Sequence, residues 1–546
     1  MLKVVRSQFN KPQQALHQKP ACEAKPVNEE ARTQIIQYPN LIPENLDFKI
    51  KLADFKRLVN EFQTVINISS ILEWDSAVIL PERATDNRAG EMSCQAKLAH
   101  EILTSKEMGN LISYLKEETN FTRLDKHEQA LLREMKNQYN RGKNIPGILL
   151  QELASTIVQA QEAWSRTATA KDFSVFIPSL EKIIFLKRKI AEYIKYEKSP
   201  YDALLEAYEP GMTAEKLDKL FEELKGELIP IVKKINSLPK KTDTTFLNKD
   251  YDTEKQIELG KSLLKHIQFD FSRGCLDEGN TSFSLGIGPN NVRLVSVIFK
   301  NNIFYTMATL LHEGFHGLYD QGFDPALATT PLFDAPSTGM HEAMARLGEI
   351  FIGKGLPFCN FFLPKLKDTF PEQLQNISPE QYYKAINDVQ PSYVWSESDE
   401  AACNLHICIL FEIERNLIEG KLTAKEVHDF WSKKLEEYCG ITPPNDEICS
   451  HWSSGDIGYF PAYTLGNLYA AQIYNTMKKE IPDLEEQIAN GNIATSVEWL
   501  KEKIFKYGKT ESPSEIMTRV TGEQLNPGYY LNYIKDKYSK IYGIEL

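Results

Sequence analysis

From Leu46 onward, apolar and charged positions recur with a period near that of an α-helix. The stretches DFKRLVNEFQTVINISSILEW, HEQALLREMKNQYNR, FIPSLEKIIFLKRKIAEYIKY and TAEKLDKLFEELKGELIPIVKKI each place apolar residues at i, i+3, i+4 and i+7 with charges between them. That pattern predicts helices that bury one face. Pro210-Gly211, followed by Thr213 and Glu215, marks a helix start, since a threonine hydroxyl there can accept from an orphan N–H of the first turn. The exception lies between Phe269 and Tyr305, where SFSLGIGPNNVRLVSVIF alternates, is rich in β-branched residues and carries Gly-Pro-Asn-Asn as a turn. A short β-hairpin is expected there. The fold class predicted is mainly α, a large helical body with a small β-sheet.

Residues 1–45 lack this periodicity, being polar and interrupted by prolines, and are expected to be a disordered tail ahead of a folded region at 46–546. The tail has no apolar stretch long enough for a secretory signal; its first acidic residue is Glu23, a weak likeness to an organelle transit peptide, and a passive extension is the preferred reading. No run of eighteen apolar residues predicts a membrane span. With 546 residues, 42% hydrophobic and 25% charged, the chain has the composition of a globular protein with a large core. A net charge of -12 argues against nucleic acid or an anionic membrane as the main partner. The eight cysteines form no C-x-x-C pair, which fits a reducing compartment, hence the cytoplasm, with export or organelle targeting through the tail as the alternative. Cys403 and Cys408 are expected to pack as small hydrophobes on a buried helix face.

Chemistry enters at His312-Glu313-Gly314-Phe315-His316, in TMATLLHEGFHGLYDQG. Two histidines four residues apart sit one turn apart on one helix face and can hold one metal, with Glu313 directed at its open side. The next ligand candidate is Glu342 in STGMHEAMARLGEIF, where Met340, Met344 and Leu347 recur at helical spacing and turn Glu342 toward the core. His-His-Glu leaves a fourth position for water, the open arrangement of a catalytic zinc. This reads as a metallopeptidase.

The chain also carries Leu72-Glu73-Trp74-Asp75 with Pro81, Ala163-Trp164, Tyr201-Asp202-Ala203-Leu204-Leu205 and Tyr208-Glu209-Pro210-Gly211. Further on come Asp399-Glu400, Asn404-Leu405-His406 and Gly458-Tyr459-Phe460-Pro461-Ala462-Tyr463-Thr464-Leu465-Gly466-Asn467-Leu468. In this order they resemble the thermostable-carboxypeptidase, or carboxypeptidase Taq, family of zinc metallopeptidases, over residues 48–546. The resemblance implies an almost wholly helical fold with a small sheet beside a deep groove, a homodimer, zinc or cobalt as cofactor, and a peptide or protein C-terminus as substrate. It makes His312, His316 and Glu342 metal ligands and Glu313 the general base, and places Tyr459, Tyr463 and His451 along the cleft as donors to the developing oxyanion.

The likeness breaks around the substrate. Arg293 occupies the arginine of the family's D-x-R-x-T motif, in Asn291-Val292-Arg293-Leu294-Val295, and is expected to bind the terminal carboxylate. The second family arginine is replaced, at Val394-Trp395-Ser396-Glu397-Ser398-Asp399, by Trp395, which cannot neutralise a carboxylate and offers an apolar subsite instead. The family's H-P-F reads Thr281-Ser282-Phe283, and its G-x-x-Q-D-x-H-W reads Asn445-Asp446-Glu447-Ile448-Cys449-Ser450-His451-Trp452, with Cys449 expected to pack and not to react. Phe315, where the family favours glycine, requires that the neighbouring wall be displaced or shrunken. Three readings follow: a zinc-dependent metallocarboxypeptidase, a metal hydrolase of altered specificity (endopeptidase or other amidase), and a non-catalytic binding protein on the same scaffold.

Overall fold

The computed structural model describes residues 44–546 apart from 171, 240–241, 390–391 and 444–449. Residues Lys51–Leu546 form one compact unit. The expected tail, save its last two residues, lies outside the described residues, as do Asn445 to Cys449. No helix among those described is long and apolar enough to cross a membrane.

The architecture is mainly helical, as the periodicity predicts. The helices that bear on the site are α1 (Glu44–Val78), α2 (Ile303–Gly322), α3 (Thr338–Arg346), α4 (Glu400–Glu419), α5 (Pro461–Glu480) and α6 (Gly528–Tyr542). Thr213 caps its helix as expected, accepting from the Lys216 N–H at 3.3 Å. α2 is apolar nearly all round and is buried from Ile303 to Gln321 with few interruptions, which makes it a core helix and not an amphipathic surface one. Cys403 and Cys408 are buried on α4.

The expected hairpin is present and is one strand short of the whole sheet. β1 (Gly274–Glu278) runs parallel to β3 (Val292–Ser296), and β2 (Phe283–Gly286) runs antiparallel to it, in the order β1-β3-β2. The turn between β2 and β3 closes where Gly-Pro-Asn-Asn predicts it, with the Ile287 N–H donating to the Asn291 carbonyl at 3.0 Å. β1 escaped notice because Gly-Cys-Leu-Asp-Glu contains no β-branched residue and no alternation; it is a strand only because β3 offers it a free edge.

Buried carboxylates hold the helices in place. Glu209 accepts from the Ser337 hydroxyl (3.0 Å), the Gly339 N–H (3.1 Å) and the Tyr469 hydroxyl (2.9 Å), tying the start of α3 to α5. Ser337 in turn caps α3 by accepting from the Met340 N–H. Glu414 on α4 accepts from Tyr201, from the Trp452 indole and from the Gly458 N–H, which fixes the segment leading to Tyr459. Asn404 on α4 accepts from Asn467 on α5 at 3.1 Å. At Gly466 a Cβ would stand 2.6 Å from the Glu342 side chain, so only glycine lets α5 lie this close to α3.

α3 passes directly into a π-helical turn, Leu347–Gly353. This was not foreseen, since STGMHEAMARLGEIF reads as one continuous helix. The π turn explains Phe315: a Cβ on Gly348 would overlap the Phe315 ring, which is fully buried. The wall has shrunk to accept phenylalanine. Gly348→Ala should therefore destabilise the protein by about 1–3 kcal/mol and Phe315→Ala by about 3–5 kcal/mol, and the double variant should lose clearly less than their sum, as read from denaturant midpoints.

Burial pushes the Glu414 carboxyl up to about 7. An acid whose folded value lies above its unfolded one stabilises the fold fully below the unfolded value and loses that contribution as pH rises through the folded one. Urea midpoints should accordingly fall between pH 5 and pH 8, and Glu414→Gln should flatten that fall.

Candidate metal centre

The H-E-x-x-H segment lies in the middle of α2, started by Asn302, whose side chain accepts from the Tyr305 N–H. The rings of His312 and His316 are 4.8 Å apart. Glu342, on α3, brings Oε2 to 3.6 Å from Nε2 of each histidine. The three ligand atoms lie within 4.8 Å of one another, and His316 and Glu342 are buried. Bonds of 2.0–2.2 Å to a tetrahedral ion would separate neighbouring donors by about 3.4 Å, so this donor set fits a divalent metal that prefers nitrogen and oxygen.

Behind the ligands a closed ring of polar contacts sets their orientation. His312 Nδ1 is 2.9 Å from Glu349 Oε2, on the π turn. The same Glu349 oxygen accepts from Arg346 Nη1 at 3.0 Å, and Arg346 Nε donates to Glu342 Oε1 at 2.6 Å. A carboxylate on Nδ1 places the proton there and leaves the Nε2 lone pair for a metal. Burial alone would raise the Glu342 carboxyl, but Arg346 and then His312 overcome it and hold it well below the usual range. On the other side His341 stacks on His316, 4.1 Å between ring centres and 10° from parallel, with its Nε2 3.3 Å from Asp320 Oδ1.

Glu313 is 5% exposed, and its Oε2 atom is buried with no hydrogen-bond partner among the described residues. Burial pushes its carboxyl up to about 7. A carboxylate in that condition is one whose proton affinity suits transfer near neutral pH.

Comparison with known proteins matches the carboxypeptidase Taq (M32) metallopeptidase model over residues 54–538. The chain belongs to that family. It is 34% identical to carboxypeptidase 1 of Bacillus subtilis, over 87% of this chain and 95% of that one, and 32% identical to thermostable carboxypeptidase 1 of Thermus thermophilus, over 90% and 98%. Among solved structures, the M32 carboxypeptidase of Deinococcus radiodurans superposes with a TM-score of 0.86 at 30% identity, covering 91% of this chain and 100% of that one. The carboxypeptidase of Pyrococcus furiosus gives 0.84 at 31% identity.

Within this M32 scaffold the remaining expected residues fall into two groups, one aromatic and one around Arg293. In the first, Tyr459 and Tyr463 lie 5.3 Å apart, ring to ring, and the charges of Glu342 and Glu313 both bear on Tyr459. Trp395 packs on Tyr463 at 4.6 Å and edge-on against Phe460 at 6.1 Å, extending the aromatic surface. In the second, Arg293 leaves β3 and lies over the Trp74 ring of α1 at 4.1 Å, its Nε donating to Asn291. The Trp74 indole is itself held by Asp277, 3.2 Å away. The side chain of His451 lies outside those described. Arg346 and Glu349 went unnoticed in the sequence, although Glu342, Arg346 and Glu349 recur at i, i+4 and i+7, which puts three charges on one helix face.

Removing an outer-shell partner weakens metal binding by about 10–100-fold. Glu349→Gln should therefore reduce affinity for zinc to that extent in a chelator competition titration, while leaving bound metal detectable at saturation.

Proposed function

We propose that the protein is a zinc-dependent metallocarboxypeptidase, with cobalt as an alternative ion, that hydrolyses the C-terminal bond of peptides. His312, His316 and Glu342 would hold the ion, which supplies Lewis-acid polarisation of the scissile carbonyl and lowers the pKa of water. The observation that carries this reading is the Glu313 Oε2 atom, buried without a hydrogen-bond partner among the described residues, beside a three-donor cluster, since burying an unpaired carboxylate oxygen is costly unless it has a proton to move. Glu313 takes the proton of the attacking water and returns it to the leaving amine. Tyr459 and Tyr463 donate to the oxyanion as it develops. Arg293, its fork flattened on Trp74, receives the substrate carboxylate, and the outer edge of β2 offers main-chain groups to an extended peptide. A homodimer in the cytoplasm completes the proposal; six cysteines left free, Cys94 among them at the surface, support a reducing compartment.

One observation favours a second reading. Trp395 packs against Tyr463 and Phe460, an aromatic face that internal cleavage or hydrolysis of another amide would suit.

Incubating a mixed peptide library with the metal-loaded protein should release single C-terminal residues, detected by mass spectrometry. Glu313→Gln should slow release by about 10²–10⁴-fold while metal stays bound. Amidating the peptides should abolish it. Internal cuts indifferent to amidation would replace the first reading by the second, and no products from a metal-loaded protein would leave the non-catalytic scaffold.

A further inference from the structure

A second cavity, of about 520 Å³, opens between the end of α5, α6 and the segment that follows the π turn. Its lining is unusual for a chain of net charge -12: five lysines, Lys354, Lys384, Lys478, Lys537 and Lys540, line it. Three carboxylates also line it, and two are already engaged, Asp536 by Lys540 at 2.7 Å and Glu485 by Lys478 at 3.6 Å. The wall carries a formal surplus of two positive charges.

The floor is built and not merely basic. Lys537, whose side chain is 5% exposed, donates to Glu400 Oε1 at 2.7 Å and to the Tyr533 hydroxyl at 2.8 Å. Lys354 stands 3.7 Å from the same Glu400 oxygen. A buried ammonium group, that of Lys537, and a part-buried one, that of Lys354, thus share one carboxylate, which lies outside the lining, with its second oxygen taken by Tyr533. Of the other acids that bear on Lys354, Asp399 caps α4 by accepting two backbone N–H groups on Oδ1, its Oδ2 having no partner among the described residues, and Glu349 is bound by His312 and Arg346. Burial pushes the Lys537 ammonium below its ordinary value, with Lys354 adding to this against Glu400. Phe351 lies between Tyr533 at 4.5 Å and Tyr474 at 5.5 Å, the rings tilted by 43° and 39°, giving an aromatic side wall.

We infer that this cavity is a binding site for a phosphate-bearing small anion, held by the ammonium groups of Lys354 and Lys537 at its floor and by Lys384 and Lys540 at its rim. Lysine suits a phosphate as a compact point charge, and an anion here supplies the negative charge that the floor lacks. Inorganic phosphate and a phosphate monoester share the required chemistry; only the latter would also use the aromatic wall.

The test titrates the full-length, metal-loaded protein with sodium phosphate and, separately, with AMP, reading melting temperature and calorimetric heat, beside sodium chloride at matched ionic strength. The expected result is a saturable rise in melting temperature with phosphate or AMP that chloride does not reproduce. Tighter binding of AMP identifies a phosphate monoester, and equal binding the bare ion. Lys354→Met should weaken binding by about tenfold, the loss expected for one charge-assisted hydrogen bond. Should that variant fold poorly, Lys384→Ala with Lys540→Ala removes rim charges whose exposed pairing contributes little to stability, and must also weaken binding. No saturable response to either anion, or a response unchanged in the lysine variants, overturns the inference. So does binding lost in His316→Ala and kept in Lys354→Met, since the anion would then lie on the metal cluster.

Discussion

Everything at this centre depends on keeping the Glu342 carboxylate ionised where almost no water reaches it. An isolated buried carboxylate would take up a proton and cease to be a ligand. Arg346 prevents this from one turn along the same helix, and because its guanidinium also engages Glu349, the charge that stabilises one ligand orients another through His312. The ring closes only if α2, α3 and the π turn hold their relative positions. The long-range ties from Glu209 and Glu414 and the close approach at Gly466 therefore serve the chemistry at a distance.

That division explains which parts of the chain were legible. The helices and the His312, His316 pair followed from spacing, because side chains three or four residues apart on a helix must share a face, and Glu342 followed from the need for a third ligand on the next core-facing helix. The hairpin followed from alternation and a Gly-Pro-Asn-Asn turn. What spacing does not carry is identity of a partner far away in the chain: β1 is a strand by virtue of β3, Gly348 matters by virtue of Phe315, and nothing local announces that helical hydrogen bonding slips by one residue after Arg346. The need for a shrunken wall near Phe315 was evident from its volume; the residue that supplies the space was not.

The substrate side reads differently from the metal side. The cluster and its outer ring are made of charges locked to one another, whereas Trp395, Tyr463, Tyr459 and Tyr208 meet as rings whose edges and faces tolerate more than one arrangement. Arg293 lies between these regimes: it is charged, yet among the described residues it is held by the face of Trp74 and by one amide oxygen, Asn291, and not by a carboxylate. Such a guanidinium keeps most of its donors for a ligand. Specificity in this protein can thus drift through its aromatic wall while the hydrolytic apparatus stays fixed.

The π turn gives that fixed apparatus a phase. One residue beyond α-helical count is inserted between Arg346 and Lys354, so the two ends of the segment are offset by about 100° relative to an unbroken helix. Loss of any single residue there would let the backbone relax to regular α-helix with every hydrogen bond made. The flanks would then keep their phase; relaxation to regular α-helix with all seven residues retained is what would swing Phe351 and Lys354 away from α6. The segment acts as a reading frame in three dimensions: the match between its residue count and its hydrogen-bond spacing keeps the two sides of the molecule in register.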